Sequence, residues 1–222
     1  MTESTAGYDG WDSSQCRGTE YCQTGCPRFV DKEGASWRLR PTREADADRL
    51  AEMYADIGVA DRAQGLPPVD DNRRQEWVET LLEEGSNIVA EGPDRLVGHV
   101  AYTPVAADKP EIAVFVHPEF HNRGIGTELC TRIVAAAADA GREALELYVE
   151  RTNRAAIAVY RRLGFEVVDG GHDMRMVRPL DDSVAASVHA PPAEQSPRAS
   201  PVGVDSSSRP AQRSFHSSDR SL

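Results

Sequence analysis

A strand, a glycine-rich turn and a helix follow one another between residues 112 and 140, and this stretch constrains the fold most. The apolar run at 112–116 is typical of a buried strand, and the Ala-rich segment from about 127 to 140 predicts a helix. Gly124 and Gly126 lie between them. A helix N-terminus presents unpaired N–H groups and the positive end of its dipole, and glycines let an anion approach the backbone. The stretch therefore predicts a phosphate or pyrophosphate site.

This turn follows neither of the two common phosphate-binding patterns. The dinucleotide-binding pattern requires a third glycine, which is absent after Leu129. The P-loop ends in Gly-Lys-Ser or Gly-Lys-Thr, and the turn contains no lysine. Taken by itself, the turn is compatible with an anion site or with a helix start that needs small residues for packing.

The bulk composition describes an acidic chain with enough apolar residues for one packed domain. Its 222 residues are 40% hydrophobic, its formal net charge is −11 and its isoelectric point is about 5.0. Such a charge argues against nucleic acid or an anionic membrane as a partner. Lysine occurs only at positions 32 and 109, and acidic, lysine-poor surfaces resemble those of halophile proteins.

The sequence carries no sign of a membrane-spanning or secretory segment. No stretch is long and apolar enough to span a bilayer, and residues 1–10 lack the basic start and apolar centre of a signal peptide. We therefore expect a cytoplasmic protein, in which structural disulfides are uncommon.

Composition divides the chain into three regions. Residues 1–35 form a polar N-terminal arm, residues 36–180 form one domain, and residues 181–222 form a tail rich in Ser and Pro. The tail has no apolar periodicity, so burial cannot offset the entropy of ordering it, and we expect it to be disordered.

Three of the four cysteines lie in the N-terminal arm. Cys16, Cys22 and Cys26 have the spacing C-x5-C-x3-C. In a reducing compartment, clustered cysteines indicate a metal before a disulfide, and a structural zinc knuckle is one interpretation. Zinc requires four ligands, and the arm supplies no clear fourth one. The other interpretation is three free thiols in a flexible arm.

The domain reads as helices and strands in an α+β order. Alternation and apolar runs predict strands, and apolar residues at helical spacing between capping residues and glycines predict helices. The predicted strands are 36–41, 87–90, 95–103, 111–116, 144–150, 165–168 and 173–178, and the predicted helices begin near residues 42, 70, 127 and 153.

A second motif follows the glycine turn. Residues 153–165 read N-x-x-A-I-x-x-Y-x-x-x-G-F. Together with the turn, this motif resembles the signature of the GCN5-related N-acetyltransferase (GNAT) family, whose pyrophosphate loop reads Q/R-x-x-G-x-G/A. Gly124 and Gly126 match that loop, and His121 stands where the family usually has Gln or Arg. The resemblance covers roughly residues 36–178.

The resemblance implies a fold and a reaction. The fold is an α+β GNAT fold, with a mixed, mostly antiparallel sheet of six to seven strands and about four helices. Its sheet is splayed between its fourth and fifth strands, here 111–116 and 144–150. The reaction is transfer of an acetyl group from acetyl-CoA to a primary amine, by direct attack in a ternary complex. The acceptor is a small molecule, a protein lysine or a protein N-terminus, and a homodimer is compatible with this family. The alternative is a non-catalytic acyl-CoA-binding regulatory module.

The resemblance also assigns site residues. Tyr160 matches the general acid that protonates the leaving thiolate, and Glu111 is the predicted general base, with His99 and His117 as other candidates. Asn153 has a plain role as a helix N-cap and a second role at the cofactor. The predicted cofactor-binding residues are Val114, Val116, His121, Asn122, Arg123, Gly124, Ile125, Gly126, Thr127 and Asn153.

Overall fold

The computed structural model describes residues 26–58, 66–171 and 173–180. Cys16, Cys22 and the tail from residue 181 lie outside the described residues, so the zinc knuckle and the disordered tail stay predictions. Within the described residues, no group of three or more His, Cys, Asp or Glu side chains is arranged to hold a metal ion.

The chain forms one eight-stranded sheet flanked by four α-helices in the part that the structure describes. The strands are β1 (Arg28–Val30), β2 (Ser36–Pro41), β3 (Ser86–Glu91), β4 (Leu96–Thr103), β5 (Glu111–Val116), β6 (Ala144–Glu150), β7 (Glu166–Gly170) and β8 (Asp173–Pro179). The helices are α1 (Ala47–Ala55), α2 (Asp71–Glu84), α3 (Ile125–Asp139) and α4 (Arg154–Arg162). The strand order is β1-β2-β3-β4-β5-β6-β8-β7.

The sheet has one strand more than the six to seven predicted. The additional strand is β1, which pairs antiparallel with β2 through Phe29 and Trp37. Both of these side chains are buried in the core, which explains why so short a strand is retained. The sheet therefore begins at Arg28, inside the region that composition assigned to the polar arm, rather than at Ser36.

The sheet parts between β5 and β6, as the resemblance implies. Every other neighbouring pair of strands is antiparallel and follows a ladder of several residues. β5 and β6 are parallel and share a single pair, Glu111 with Glu146, at the start of β5. Beyond that pair the two strands diverge, and a gap opens toward the C-terminal end of β5.

The helices cover both faces of the sheet. The apolar face of α1 packs with α2 against one face, where Leu50, Tyr54 and Val78 belong to the same buried cluster as Val89 of β3. On the other face, α3 and α4 join the larger core cluster, which contains Ile88, the neighbour of Val89. Successive strand residues thus enter opposite cores, as a sheet buried on both faces requires. No helix of the described chain has the length and apolarity needed to cross a membrane.

A glycine in β4 allows α3 to lie close to the sheet. A Cβ built on Gly98 comes within 2.8 Å of Leu129 Cδ1 and 3.2 Å of Ile125 Cγ2, both in α3. Leu129 is fully buried, so its side chain has no open space to move into. The missing side chain at Gly98 therefore sets the height of α3 over the sheet, and with it the position of the helix N-terminus.

Replacing Gly98 with Ala should lower the free energy of unfolding by about 1–3 kcal/mol, because overpacking displaces Leu129 and Ile125. Urea unfolding measures this loss. Gly171→Ala is the matched control: its Cβ meets Asp173 O at 3.6 Å, an ordinary contact. A Gly98→Ala protein as stable as the control would show that α3 is not held at this distance by the glycine.

Candidate functional site

The gap between β5 and β6 is a cavity of about 720 Å³. Its walls come from both strands, from the turn before α3 and from α4. Ten of the residues predicted from sequence line it: Val114, Val116, His121, Asn122, Gly124, Ile125, Gly126, Thr127, Asn153 and Tyr160. Two predicted residues, Glu111 and Arg123, are not part of the lining.

The β5 backbone turns polar groups toward the cavity. His117 N–H donates to Val97 O of the β4 side, so the antiparallel ladder directs the backbone groups of Phe115 toward β4 as well. The groups of Val114 and Val116 alternate with these and face β6. Because β6 has diverged there, no strand pairs with them among the described residues. Backbone groups in this position require another partner.

The turn before α3 directs N–H groups at the same cavity. The first intrahelical bond runs from Glu128 N–H to Gly124 O, so the N–H groups of Ile125, Gly126 and Thr127 precede the ladder. Gly124 has a φ of 100°, which favours glycine, and a Cβ placed on it meets no atom within 4 Å. The open space at Gly124 and the helix N-terminus together make a concave, positively polarised surface.

His121 contacts the open edge of β5. Its Nε2 lies 2.9 Å from Val116 O, and the ring is exposed at the cavity. Nε2 therefore carries the proton and donates to the carbonyl. The side chain that departs from the family pattern satisfies one of the β5 acceptors that β6 leaves unpaired.

Tyr160 places a phenol in the cavity wall. It lies on α4, is 9% exposed and stacks edge-on against Phe165. Its hydroxyl has no hydrogen-bond partner among the described residues. Burial, with a smaller effect of Cys130, raises the pKa of Tyr160 well above its ordinary value. The phenol is therefore protonated at neutral pH and available as a donor.

Two further lining residues have structural explanations. Asn153 caps α4, since its side-chain oxygen accepts a hydrogen bond from Ala156 N–H at 3.0 Å. Cys130 of α3 is buried, and burial raises the pKa of its thiol to about 12. A thiol of this kind is inert at neutral pH.

The structure turns the Arg123 side chain away from the cavity. Its Nε donates to Asp31 Oδ2 at 2.7 Å, and its Nη1 lies 3.1 Å from Glu33 Oε2. The guanidinium also lies over the rings of Trp37 and Phe120. Its charge is therefore used within the protein, and it ties the glycine turn to the β1–β2 hairpin.

Glu111 lies at the closed end of the gap, where β5 and β6 make their single pair. It is exposed there, and desolvation together with the neighbouring Glu146 carboxylate raises its pKa. Glu146 is itself paired with Arg175. The structure does not bring Glu111 together with Tyr160 in the cavity wall.

The two histidines named as other base candidates are both engaged. His117 is buried, with its Nε2 3.0 Å from Asp56 Oδ2 and its Nδ1 accepting from Glu119 N–H. His99 is 1% exposed, and burial lowers its pKa to about 3. Neither of them lines the cavity.

Some side chains that line the cavity carry no signal in the sequence motifs. Lys32 comes from the β1–β2 turn, Ile57 from the segment after α1, Glu150 from β6 and Arg162 from α4. Glu150 is the one carboxylate in the lining within the described part of the chain. Only the three-dimensional arrangement of these elements shows that they meet.

Comparisons with known sequences agree with this geometry. The sequence model described as the acetyltransferase (GNAT) family matches residues 48–165, which is more than half of the chain. An uncharacterized N-acetyltransferase of Methanocaldococcus jannaschii is 44% identical over 78 residues, which cover 32% of this chain and 34% of that protein. The L-methionine sulfoximine/L-methionine sulfone acetyltransferase of Pseudomonas aeruginosa is 26% identical over 137 residues, covering 58% of this chain and 80% of that protein.

A solved structure has the same architecture. It is a proposed acetyltransferase from Salmonella typhimurium, determined with its cofactor acetyl-CoA. It superimposes with a TM-score of 0.53 at 25% sequence identity, over 66% of this chain and 95% of that one.

The buried His99 gives the protein a predictable dependence on pH. Asn87 Nδ2 donates to Leu81 O and Gly85 O, so its oxygen accepts from His99 Nε2–H. His99 Nδ1 then accepts from the Tyr54 hydroxyl. This neutral tautomer is favoured by burial, whereas an unfolded histidine takes up a proton below about pH 6.5.

Stability should therefore fall as the pH falls from about 6.5 toward about 3, because only the unfolded state binds the proton. Between about pH 7.5 and about pH 5, His99 should account for a loss of roughly 2 kcal/mol. Urea unfolding of His99→Gln, which lacks this titration, should show a correspondingly smaller pH dependence. The exposed His121→Gln is the control and should keep the full dependence; equal dependence in both variants would exclude the His99 explanation.

Proposed function

The chain belongs to the acetyltransferase (GNAT) family, and on that basis we propose that it transfers an acetyl group from acetyl-CoA to a primary amine. One observation carries the proposal: a single cavity combines an unpaired strand edge, a helix N-terminus and a buried phenol. These groups match the three parts of acetyl-CoA, which are the amide-bearing arm, the pyrophosphate and the sulfur of the thioester.

The residues present fit this substrate in chemical type. The Val114 backbone groups and the Val116 N–H would pair with the amides of the arm and replace the missing strand, while Val116 O accepts from His121. The N–H groups at the start of α3 would bind the pyrophosphate, which approaches over Gly124. Ligand binding would thus satisfy groups that are costly to leave unpaired, which explains why the sheet stays open.

The reaction is a direct transfer in a ternary complex. The neutral amine attacks the thioester carbonyl, a C–N bond forms and the C–S bond breaks. Tyr160 donates its phenolic proton to the departing thiolate, and the amine nitrogen loses a proton. Negative charge that develops on the carbonyl oxygen is stabilised by N–H groups at the cavity, for which the β5 backbone is the candidate.

Two carboxylates are candidates for the general base that accepts the proton from the amine. Glu111 is the base that the family resemblance implies, and it lies at the closed end of the gap. Glu150 lines the cavity itself, with its Oε2 3.3 Å from Thr152 Oγ1. Glu150 therefore becomes the first residue to test for this role.

We infer that the acceptor is a small molecule with an amine and a largely apolar body. Relatives support the first part, since two are named for L-methionine sulfoximine or sulfone and for L-amino acids. The second part rests on three apolar or aromatic residues of the cavity lining, which are Ile57 after α1, Phe115 in β5 and Tyr148 in β6. An amine panel that contains amino acids, polyamines and lysine peptides distinguishes this acceptor class from a protein acceptor.

Replacing Tyr160 with Phe should reduce kcat about 100-fold or more, since general acid catalysis typically contributes 10²–10⁴-fold. The KM for acetyl-CoA should change little, because the phenol acts mainly as the thiolate forms. Release of the CoA thiol measures the rate. Tyr102→Phe, which removes a hydroxyl from a buried tyrosine outside the cavity, is the control. Binding of acetyl-CoA without turnover of any amine by the wild type would instead favour a regulatory module.

Replacing Gly124 with Val should abolish detectable CoA binding, because φ near 100° is strained for Val and its side chain fills the approach to the helix N-terminus. His121→Ala should weaken binding only slightly, because the loop acts through backbone N–H groups. Calorimetric titration with CoA gives both affinities. Equal effects of the two substitutions would show that the pyrophosphate does not bind here.

A further inference from the structure

We propose that Lys32, in the turn between β1 and β2, is a further cofactor-binding residue that pairs with a phosphate group of CoA. The inference rests on the proposed function and names a ligand of that same site. Residue 32 precedes the family match at 48–165, so the match assigns it no role. The structure nevertheless places it in the lining of the cavity, beside the glycine turn.

A buried carboxylate fixes this turn in position. The side chain of Asp31 has no exposed surface, and its Oδ1 accepts from Glu33 N–H and Ala35 N–H. Its Oδ2 accepts from Trp37 Nε1 at 2.6 Å and from Arg123 Nε at 2.7 Å. Burial tends to raise the pKa of Asp31, but these hydrogen bonds outweigh burial and hold the pKa below its ordinary value. The carboxylate is therefore charged at neutral pH.

This arrangement joins the β1–β2 turn to the glycine turn. Lys32 N–H donates to Arg123 O at 3.2 Å, one residue before Gly124. The Arg123 side chain returns to Asp31, so a backbone bond and an ion pair connect the same two segments. The backbone of Lys32 is thus held beside the glycine turn, the site predicted to bind pyrophosphate, although Lys32 and Arg123 are distant in sequence.

The charge of Lys32 is available for a ligand. Asp31 and Glu33, the acidic residues on either side of it, are both paired with Arg123. The Lys32 side chain is exposed and has no ion pair or hydrogen bond with a described residue. A flexible ammonium at the edge of an anion site is a common phosphate partner. Arg162, on the α4 side, is the other exposed cation of the lining.

The position of Lys32 is notable because the chain contains only one other lysine. The chain has a net charge of −11, and only two of its 25 lysine and arginine residues are lysines, so a lysine at the edge of an anion site is an uncommon residue for this chain. The second lysine, Lys109, lies before β5 at the closed end of the sheet and pairs with Glu143 at 3.6 Å. It does not line the cavity and therefore serves as a matched control.

The test is calorimetric titration of the full-length wild type, Lys32→Gln, Lys32→Arg and Lys109→Gln with CoA and with dephospho-CoA, which lacks the 3′-phosphate. Lys32→Gln should bind CoA roughly 3- to 10-fold more weakly, while Lys32→Arg and Lys109→Gln should stay close to the wild type. The thermal midpoints of all four proteins should agree, because Lys32 is exposed.

Dephospho-CoA identifies the phosphate group. If Lys32 pairs with the 3′-phosphate, the substitution weakens CoA but not dephospho-CoA; if it pairs with the pyrophosphate, both ligands weaken equally. A Kd for CoA within about twofold of the wild type in Lys32→Gln overturns the inference and leaves the proposed function intact. Absence of CoA binding by the wild type overturns the proposed function, and the inference with it.

Discussion

The rest of the structure depends on the loss of strand pairing between β5 and β6, which share a single residue pair. A backbone N–H or C=O group that is removed from water without a hydrogen-bond partner destabilises the fold by about 1–3 kcal/mol. The open edge of β5 therefore needs hydrogen-bond partners from outside the sheet. β5 retains its direction because its other edge follows a full ladder with β4. β6 is held in the same way by β8. The two halves of the sheet are therefore each stable, and the single pair between Glu111 and Glu146 fixes only where they begin to separate.

Sequence predicted the parts of the site that depend on local conformation. The helix that follows the glycine turn, the cap at Asn153 and the positions of the strands around them are properties of short segments, and short motifs predict them well. The opening of the sheet came from the family resemblance, because no local pattern distinguishes a paired strand from a separated one. β1 was missed because three residues give no periodicity, and it is retained by tertiary contacts, among them the burial of Phe29 in the core.

Two residues that were predicted for the site, Arg123 and Glu111, do not line the cavity, and they show that a motif does not determine where a side chain lies. Arg123 lies in the motif, but the direction of its side chain is set by Asp31, 92 residues earlier in the chain. Glu111 opens the correct strand, yet the cavity lies toward the other end of that strand. In both cases the motif or strand lies beside the cavity, and tertiary contacts decide where the side chain lies. The same contacts bring Lys32, which no motif contains, into the lining.

His121 shows how a departure from the family pattern fits the physical constraint. A long Gln or Arg side chain at this position offers donors at its end, and an imidazole with a protonated Nε2 offers a donor as well. Here that donor reaches Val116 O, one of the acceptors left open by the divergence of β6. His121 therefore supplies a hydrogen-bond donor to the open edge of β5 in the wall of the cavity. In an acidic chain, our proposal therefore assigns the attraction of an anion to the helix N-terminus and to Lys32 and Arg162, the two exposed cations of the cavity lining within the described residues.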